Sequence, residues 1–258
     1  QDATSEVTLK RSGDEWVMEE KADYPVRFDR VRDLVMKVSD MEIREKKTSN
    51  PESYARIQVE DLTGEDAKSK LVTFYTEEGD ELGSVILGQT QWQGAEGGSQ
   101  FVRRAVEQQS WLVSGTINVQ TSERNWLKTD LMNVENKRVK NVTVIHPGDE
   151  EVRAGKTEEA QTDVELYSIP AGREMKSKTA ANSLLGVFRS VRFDDVMPKD
   201  EIDLSKDEPV IITAETFDGL QVVVPVGRRG EGEAHPGHGQ GGGVQVELPH
   251  DGRRGRLP

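Results

Sequence analysis

The stretch RFDRVRDLVMKVSDMEI, residues 27–43, decides the fold class of this chain. Its apolar side chains recur at spacings of three or four residues, which is the pattern of an amphipathic helix with one buried face. They are Phe28, Val31, Leu34, Val35, Val38 and Met41. The pattern therefore predicts a helix that begins near Phe28 and packs this stripe against another element.

A second stretch, SKTAANSLLGVFRSVRF at residues 177–193, matches the first at a constant spacing of 150 residues. Apolar residues coincide in the pairs Val31 and Ala181, Leu34 and Leu184, Val35 and Leu185, Val38 and Phe188, Met41 and Val191, and Ile43 and Phe193. Each stretch also lies between a strand-like segment and a strand pair around a glycine, Gly79 or Gly219. The shared order of elements favours an internal duplication over a chance alignment of two unrelated helices.

Strand-like segments surround both helices, because apolar and polar residues alternate between turn residues. The first set covers residues 6–20, 70–75, 82–87, 100–104 and 110–114, with a polar loop over 88–99, and the second covers 140–146, 164–169, 210–216 and 220–224. The predicted fold is α+β: two repeated units, each an antiparallel sheet with one amphipathic helix packed on a face. We expect a first repeat at residues 1–120, a short helical connection at 121–139, an incomplete second repeat at 140–224 and a tail at 225–258.

Charge and cysteine content exclude several classes of function. The 258 residues include 47 acidic and 34 basic side chains, for a net charge of -13. This field repels nucleic-acid phosphates. The chain contains no cysteine, so a disulfide framework, a thiolate zinc site and a cysteine nucleophile are excluded.

The tail Pro225–Pro258 holds three of the four histidines, His235, His238 and His250, among many glycines. All ten of its residue types can be encoded by codons that begin with G or C, whereas Lys, Ser, Thr, Asn, Ile, Phe, Tyr, Met and Trp are missing together. This alphabet favours out-of-frame translation of a GC-rich gene, starting between Asp218 and Pro225. A flexible low-complexity tail and a histidine metal site are the alternatives, but these histidines lack the spacing of a fixed three-ligand site.

No catalytic constellation is found in the rest of the chain. His146 is its one histidine and precedes Pro147-Gly148, where a turn residue is expected. The carboxylates of Glu77-Glu78 and of residues 149–151 lie in predicted turns, where charges are usually solvated. We therefore predict no catalytic residue, no metal ligand and no cofactor.

Trp92 is the one candidate binding residue. It lies in QTQWQGAEGG, residues 89–98, a polar loop with no apolar neighbour. An exposed tryptophan in such a loop is typical of a contact with a partner. The alternative is a side chain that folds back onto its own sheet.

Several short motifs, taken in order, resemble the bacterial domain of unknown function 4340 family. They are Gly13–Trp16 with Tyr24-Pro25, Tyr54 with Val59-Glu60-Asp61, Leu87-Gly88, Val102-Arg103, and Trp126-Leu127. The resemblance extends from Val7 to Val224. It implies an N-terminal membrane helix upstream of this sequence, an extracytoplasmic body, and a gene often found beside an ABC-type transporter, including the gliding-motility kind. It implies no established activity.

Two functions follow as expectations. The first is a non-enzymatic accessory domain on the periplasmic side, anchored to the inner membrane, that docks on a membrane transporter or envelope complex. Its partners would be ABC-type transporter subunits. The alternative is a binding module or enzyme that acts on an envelope glycan or a small solute at the cleft between the repeats.

Overall fold

The computed structural model describes residues 1–64, 66–92, 98–175, 177–198, 201 and 208–227. The chain divides into two compact units, Gln1–Lys128 and Thr129–Pro258. This division falls inside the connection that the sequence predicts at residues 121–139. Of the tail expected at 225–258, only residues 225–227 are described, so His235, His238 and His250 lie outside the described residues.

The first unit contains two antiparallel sheets. The three-stranded sheet has the order β1-β2-β3 and consists of β1 (Leu9–Ser12), β2 (Glu15–Met18) and β3 (Tyr24–Pro25). Two helices follow, α1 (Phe28–Ser39) and α2 (Tyr54–Ile57). The five-stranded sheet has the order β4-β8-β7-β6-β5 and consists of β4 (Ile43–Lys46), β5 (Lys70–Tyr75), β6 (Glu81–Trp92), β7 (Gly98–Arg104) and β8 (Ser110–Ser114).

The second unit contains one five-stranded sheet and a separate strand pair, both antiparallel. The pair consists of β9 (Asp130–Met132) and β13 (Val191–Arg192). The sheet has the order β12-β11-β10-β14-β15 and consists of β10 (Val139–His146), β11 (Glu150–Gly155), β12 (Glu165–Ser168), β14 (Val210–Thr216) and β15 (Gln221–Val226). The helix α3 (Lys178–Leu185) lies between β12 and β13 in the chain. The predicted α+β class with antiparallel sheets is therefore confirmed.

The two predicted helices pack differently. In α3, Ala181 and Leu185 are buried against the second sheet, because this helix contacts β10 and β11. In α1, Val31 is the one buried side chain, whereas Phe28 and Val35 of the predicted stripe are exposed. The prediction that each helix covers a face of its own sheet is thus wrong for α1.

A short segment that the sequence analysis left unassigned packs on the first five-stranded sheet instead. Tyr54 of α2 and Val59 just after it form a buried cluster with Ile86, Phe101 and Leu112 from three neighbouring strands. The helix has only four residues, so it is too short to show the spacing that reveals an amphipathic helix. Tertiary packing, not local periodicity, therefore defines this part of the core.

Two predicted loops are strands. Residues 88–99 were expected to be a polar loop, yet β6 continues to Trp92 and β7 begins at Gly98. Glu150 and Glu151 were expected in a turn, yet they begin β11 and pair with His146 and Ile145. Both segments expose one or both faces to solvent, so they lack the apolar alternation on which the prediction depends.

The last described strand passes the boundary that the sequence predicts at Val224. Pro225 pairs with Ile211 and Val226 pairs with Val210 in the β14–β15 ladder. We had expected Pro225–Pro258 to have no partner in the fold, and for these two residues that expectation is wrong. Regular pairing through Val226 favours a later start for any out-of-frame segment.

Candidate functional site

Trp92 lies at the end of a strand that extends past its neighbour in the sheet. β5 pairs with β6 only as far as Leu87, and the register of the β6–β7 ladder shifts between Leu87 and Thr90. Beyond the shift β6 pairs with β7, and Trp92 stands opposite Gly98. The Trp92 side chain is 75% exposed, so it does not fold back onto the sheet formed by the described residues.

Gly88 allows this extension because no side chain fits at its position. A Cβ atom there would lie 2.4 Å from the carbonyl oxygen of Ile57 and 2.6 Å from Cγ1 of Val59. The close approach brings the end of α2 against the middle of β6. Gly88 therefore fixes where β6 leaves the packed core and continues toward Trp92.

Arg103 on β7 is the most highly connected polar side chain of the first unit, although it is only 3% exposed. Its Nε donates to the carbonyl oxygen of Val59 at 2.9 Å, one Nη donates to that of Glu107 at 3.0 Å, and the other donates to the carboxylate of Asp61. The guanidinium also lies 4.6 Å from the centre of the Tyr54 ring. All three nitrogens have acceptors, so Arg103 joins segments of the chain and has no free donor aimed at a ligand.

The motifs that carry the family resemblance meet at this position. Tyr54, Val59, Asp61 and Arg103 contact one another, and Gly88 packs against Val59. The Tyr54 hydroxyl donates to the carbonyl oxygen of Gln108 at 2.5 Å. These recurring residues thus build the core of the first unit.

The second unit contains an open concavity of about 710 Å³. It lies between the segment before β10, the segment after β11 and the helix α3. Its lining residues are mostly polar and come from distant parts of the chain: Asn136, Lys137, Lys156, Glu159, Ala160, Gln161, Thr162, Val164, Asn182 and Leu185. The concavity is a candidate site for a small polar ligand.

Lys156 forms one wall of this concavity and is itself buried. Its ammonium group donates to the carbonyl oxygens of Asn136 and Lys137, both at 3.2 Å, and to that of Glu159 at 3.5 Å. The residue ties together the two segments that flank the site, and its three donors are used.

The ligand-binding capacity of the concavity comes from other groups. Within the described residues, the side-chain amides of Asn136 and Asn182 make no hydrogen bond, so donors and acceptors remain available. The ion pair with Glu135, at 2.7 Å, raises the pKa of Lys137, and the negative charge of Glu159 contributes to the same shift. Two amides beside a cation and a carboxylate suit a small, highly polar molecule.

The other candidate residues do not assemble into a catalytic group. His146 ends β10 at an exposed position before the Pro147-Gly148 turn, as predicted. Among the described residues, no three His, Asp or Glu side chains are placed to hold a metal ion. In the same part of the chain, no helix has the length and apolar character needed to span a membrane.

The sequence analysis missed the concavity because its residues are separated by up to about fifty positions and carry no motif. Gly186 is a partial signal, since a Cβ there would lie 3.3 Å from the amide nitrogen of Asn136. A glycine beside an apolar helix stripe, however, also marks an ordinary helix end.

Fold and site together define an α+β protein with antiparallel sheets, a structural arginine cluster and an exposed tryptophan. A family model described as Domain of unknown function (DUF4340) matches residues 16–209. The chain therefore belongs to this family, and the resemblance noted from the motifs is confirmed. Searches of curated proteins and of solved structures find no match.

Proposed function

We propose that this protein is a non-enzymatic accessory domain of the extracytoplasmic side that docks on a membrane transporter or envelope complex. The observation that carries the proposal is Trp92, which is 75% exposed on a regularly paired strand. A tryptophan supplies a large contact area and loses little conformational entropy, so it is among the residues that dominate binding energy. The extracytoplasmic location, the inner-membrane anchor and the ABC-type transporter partners follow from what the family resemblance implies.

Affinity purification of the full-length native protein tests this function. We expect transporter or envelope-complex subunits to be recovered with the wild type and to be depleted about tenfold or more with Trp92→Ala. Leu82→Ala is the matched control, because Leu82 is also exposed and lies at the other end of β6. Repeated recovery of no such subunit by the wild type would refute the function.

The concavity of the second unit supports a second candidate, a binding module for an envelope glycan or a small solute. The sequence analysis placed such a ligand between the repeats, whereas we now propose it within the second unit. Calorimetry with chitotriose and with free amino acids tests this candidate. Binding that is lost in Asn182→Ala supports it, and no heat change with either probe counts against it.

An internal duplication remains our interpretation of the two units. In both, a strand pair, a third strand, a helix, a short strand and an antiparallel pair follow one another. The sheets are connected differently, because β10 pairs with β14 whereas β1 and β2 form a sheet with β3 alone. The duplication predicts that a corrected reading frame after β15 encodes two more strands, equivalent to β7 and β8, and sequencing the gene tests this.

A further inference from the structure

The helix α1 exposes a continuous face that carries both apolar groups and a positive charge. Phe28, Arg32, Val35 and Met36 follow one another at intervals of four, three and one residues, so they share one side of the helix. Phe28 is 56%, Val35 is 43% and Met36 is 52% exposed. We refer to these four residues as the α1 face.

This exposure distinguishes α1 from α3. At the position that corresponds to Val35 at a spacing of 150 residues, Leu185 is only 2% exposed and packs in the core of the second unit. The opposite flank of α1 is held in place, since Val31 is buried and the amide of Arg27 donates to the carbonyl oxygen of Trp126 at 2.7 Å. The α1 face is therefore presented on an anchored helix.

The charges of α1 indicate what covers this face. Arg27 pairs with Asp29 at 2.8 Å, and Lys37 pairs with Asp33 at 2.9 Å. Arg32 is exposed in the middle of the apolar residues and forms no ion pair within the described residues. A partner that buries the apolar groups must also accept the guanidinium, because a buried unpaired charge is costly.

We propose that the α1 face docks into an apolar groove of a partner protein that places a carboxylate opposite Arg32. The proposal rests on the proposed docking function and gives it a second contact surface with defined chemistry. It corresponds to the recognition of an amphipathic helix in a groove, with side chains at i, i+4, i+7 and i+8 as anchors.

Two other occupants fit the charges less well. A second copy of the chain in a two-fold arrangement would bring Arg32 near its own symmetry mate, since this residue lies in the middle of the face. An anionic lipid surface attracts helices with many free Lys and Arg residues. Here two of the four basic residues are neutralised within the helix, and the protein has a net charge of -13.

Site-specific photo-crosslinking in the full-length native protein tests the proposal. A benzoylphenylalanine residue replaces Val35 in one strain and Arg30 in a control strain, because Arg30 is exposed on the opposite side of α1. We expect position 35, and not position 30, to crosslink to a partner peptide that contains Asp or Glu. Arg32→Glu should reduce this crosslink by about tenfold or more, and Arg32→Lys should retain most of it.

Charge reversal provides the decisive control. Changing the acidic residue of the crosslinked peptide to lysine should restore the crosslink of the Arg32→Glu variant, which a folding defect would not allow. The absence of a protein crosslink, a crosslink to lipid, a crosslink between two copies, or no effect of Arg32→Glu would each overturn the proposal.

The failure of this proposal and that of the docking function are distinguishable. If the wild type co-purifies with an envelope complex but position 35 gives no crosslink, the α1 face is not the contact and the docking function stands. If the charge-reversal pair succeeds with a protein outside the envelope complexes, the α1 face is a docking surface and the proposed function fails.

Discussion

At the scale of single residues, Arg103 illustrates how a buried cation can serve the fold rather than a ligand. Its acceptors are two backbone carbonyl groups and the carboxylate of Asp61, and the Asp61 side chain is 61% exposed. Solvent screens that ion pair, so most of the stabilisation comes from the hydrogen bonds to the carbonyl groups. The residue therefore holds the segments that contain Val59 and Glu107 against β7.

We expect Arg103→Met to lower the free energy of unfolding by about 3 kcal/mol, because it leaves the carbonyl oxygens of Val59 and Glu107 without this donor. Arg104→Met is the matched control, since the neighbouring side chain is largely exposed and should change stability by less than about 0.5 kcal/mol. Urea unfolding of both variants measures the difference. Equal stability of the two variants would contradict the structural role of Arg103.

Gly88 and Gly83 provide a matched pair on one strand. A Cβ at Gly88 meets backbone oxygen atoms at 2.4 and 2.8 Å, whereas a Cβ at Gly83 meets nothing within 4 Å. We expect Gly88→Ala to cost about 2 kcal/mol or more through overpacking, and Gly83→Ala to be neutral or slightly stabilising. Thermal and urea unfolding test this, and a stable Gly88→Ala protein would show that α2 can move away from β6.

At the scale of elements, the helices α1 and α3 look equivalent in sequence but differ in burial. We expect Leu185→Ala to destabilise the protein by about 2–5 kcal/mol, the usual cost of a buried leucine, and Val35→Ala to cost less than about 0.5 kcal/mol. Val31→Ala should fall between them, at about 1.5 kcal/mol. Urea unfolding ranks the three variants, and a large effect of Val35→Ala would show that this side of α1 is buried.

These elements also show what the sequence could and could not predict. The β1–β2 and β5–β6 hairpins, the antiparallel sheets and both long helices follow from local periodicity and turn residues. The direction in which α1 packs does not, because its spacing defines a stripe but not the surface that covers it. The exposure of Trp92 was predicted as a possibility, while the amides of the concavity come together only through tertiary structure.

The β14–β15 turn is an element with a predictable response to pH. Hydrogen bonds from Thr216 and then Arg138, whose Nη2 is 2.5 Å from the carboxylate, lower the pKa of Asp218. A carboxyl group with a lowered pKa in the folded state stabilises the fold above its unfolded pKa, and the contribution is lost as pH falls through the folded value. The hairpin should therefore loosen in acid.

We expect NMR titration to find the pKa of Asp218 below that of a model peptide and to find it raised in Arg138→Met. Lys137→Met is a suitable control, because the neighbouring lysine pairs with Glu135 instead. An Asp218 pKa that is the same in the wild type and in Arg138→Met would show that this ion pair does not persist in solution.

At the scale of the whole molecule, the two sheets differ in how they end. In the first unit β6 continues into β7 and β8, whereas in the described part of the second unit β15 is an edge strand. An unpaired edge invites association with another strand. Pro225 lacks an amide hydrogen and so removes one donor from this strand, which reduces the tendency to pair.

Truncation tests whether the chain beyond β15 contributes to the fold. An out-of-frame tail has not been selected to pack on the second sheet, so removal of residues 228–258 should change the free energy of unfolding by less than about 0.5 kcal/mol. Truncation after Gly219 is the control, because it deletes β15 with the buried Val222 and Val224. Their lost burial, about 1.5–3 kcal/mol each, is a large share of a typical stability of about 5–15 kcal/mol. We therefore expect the second unit to unfold in the shorter protein alone, and a loss of about 2 kcal/mol or more on removing residues 228–258 would show instead that the tail packs in its native frame.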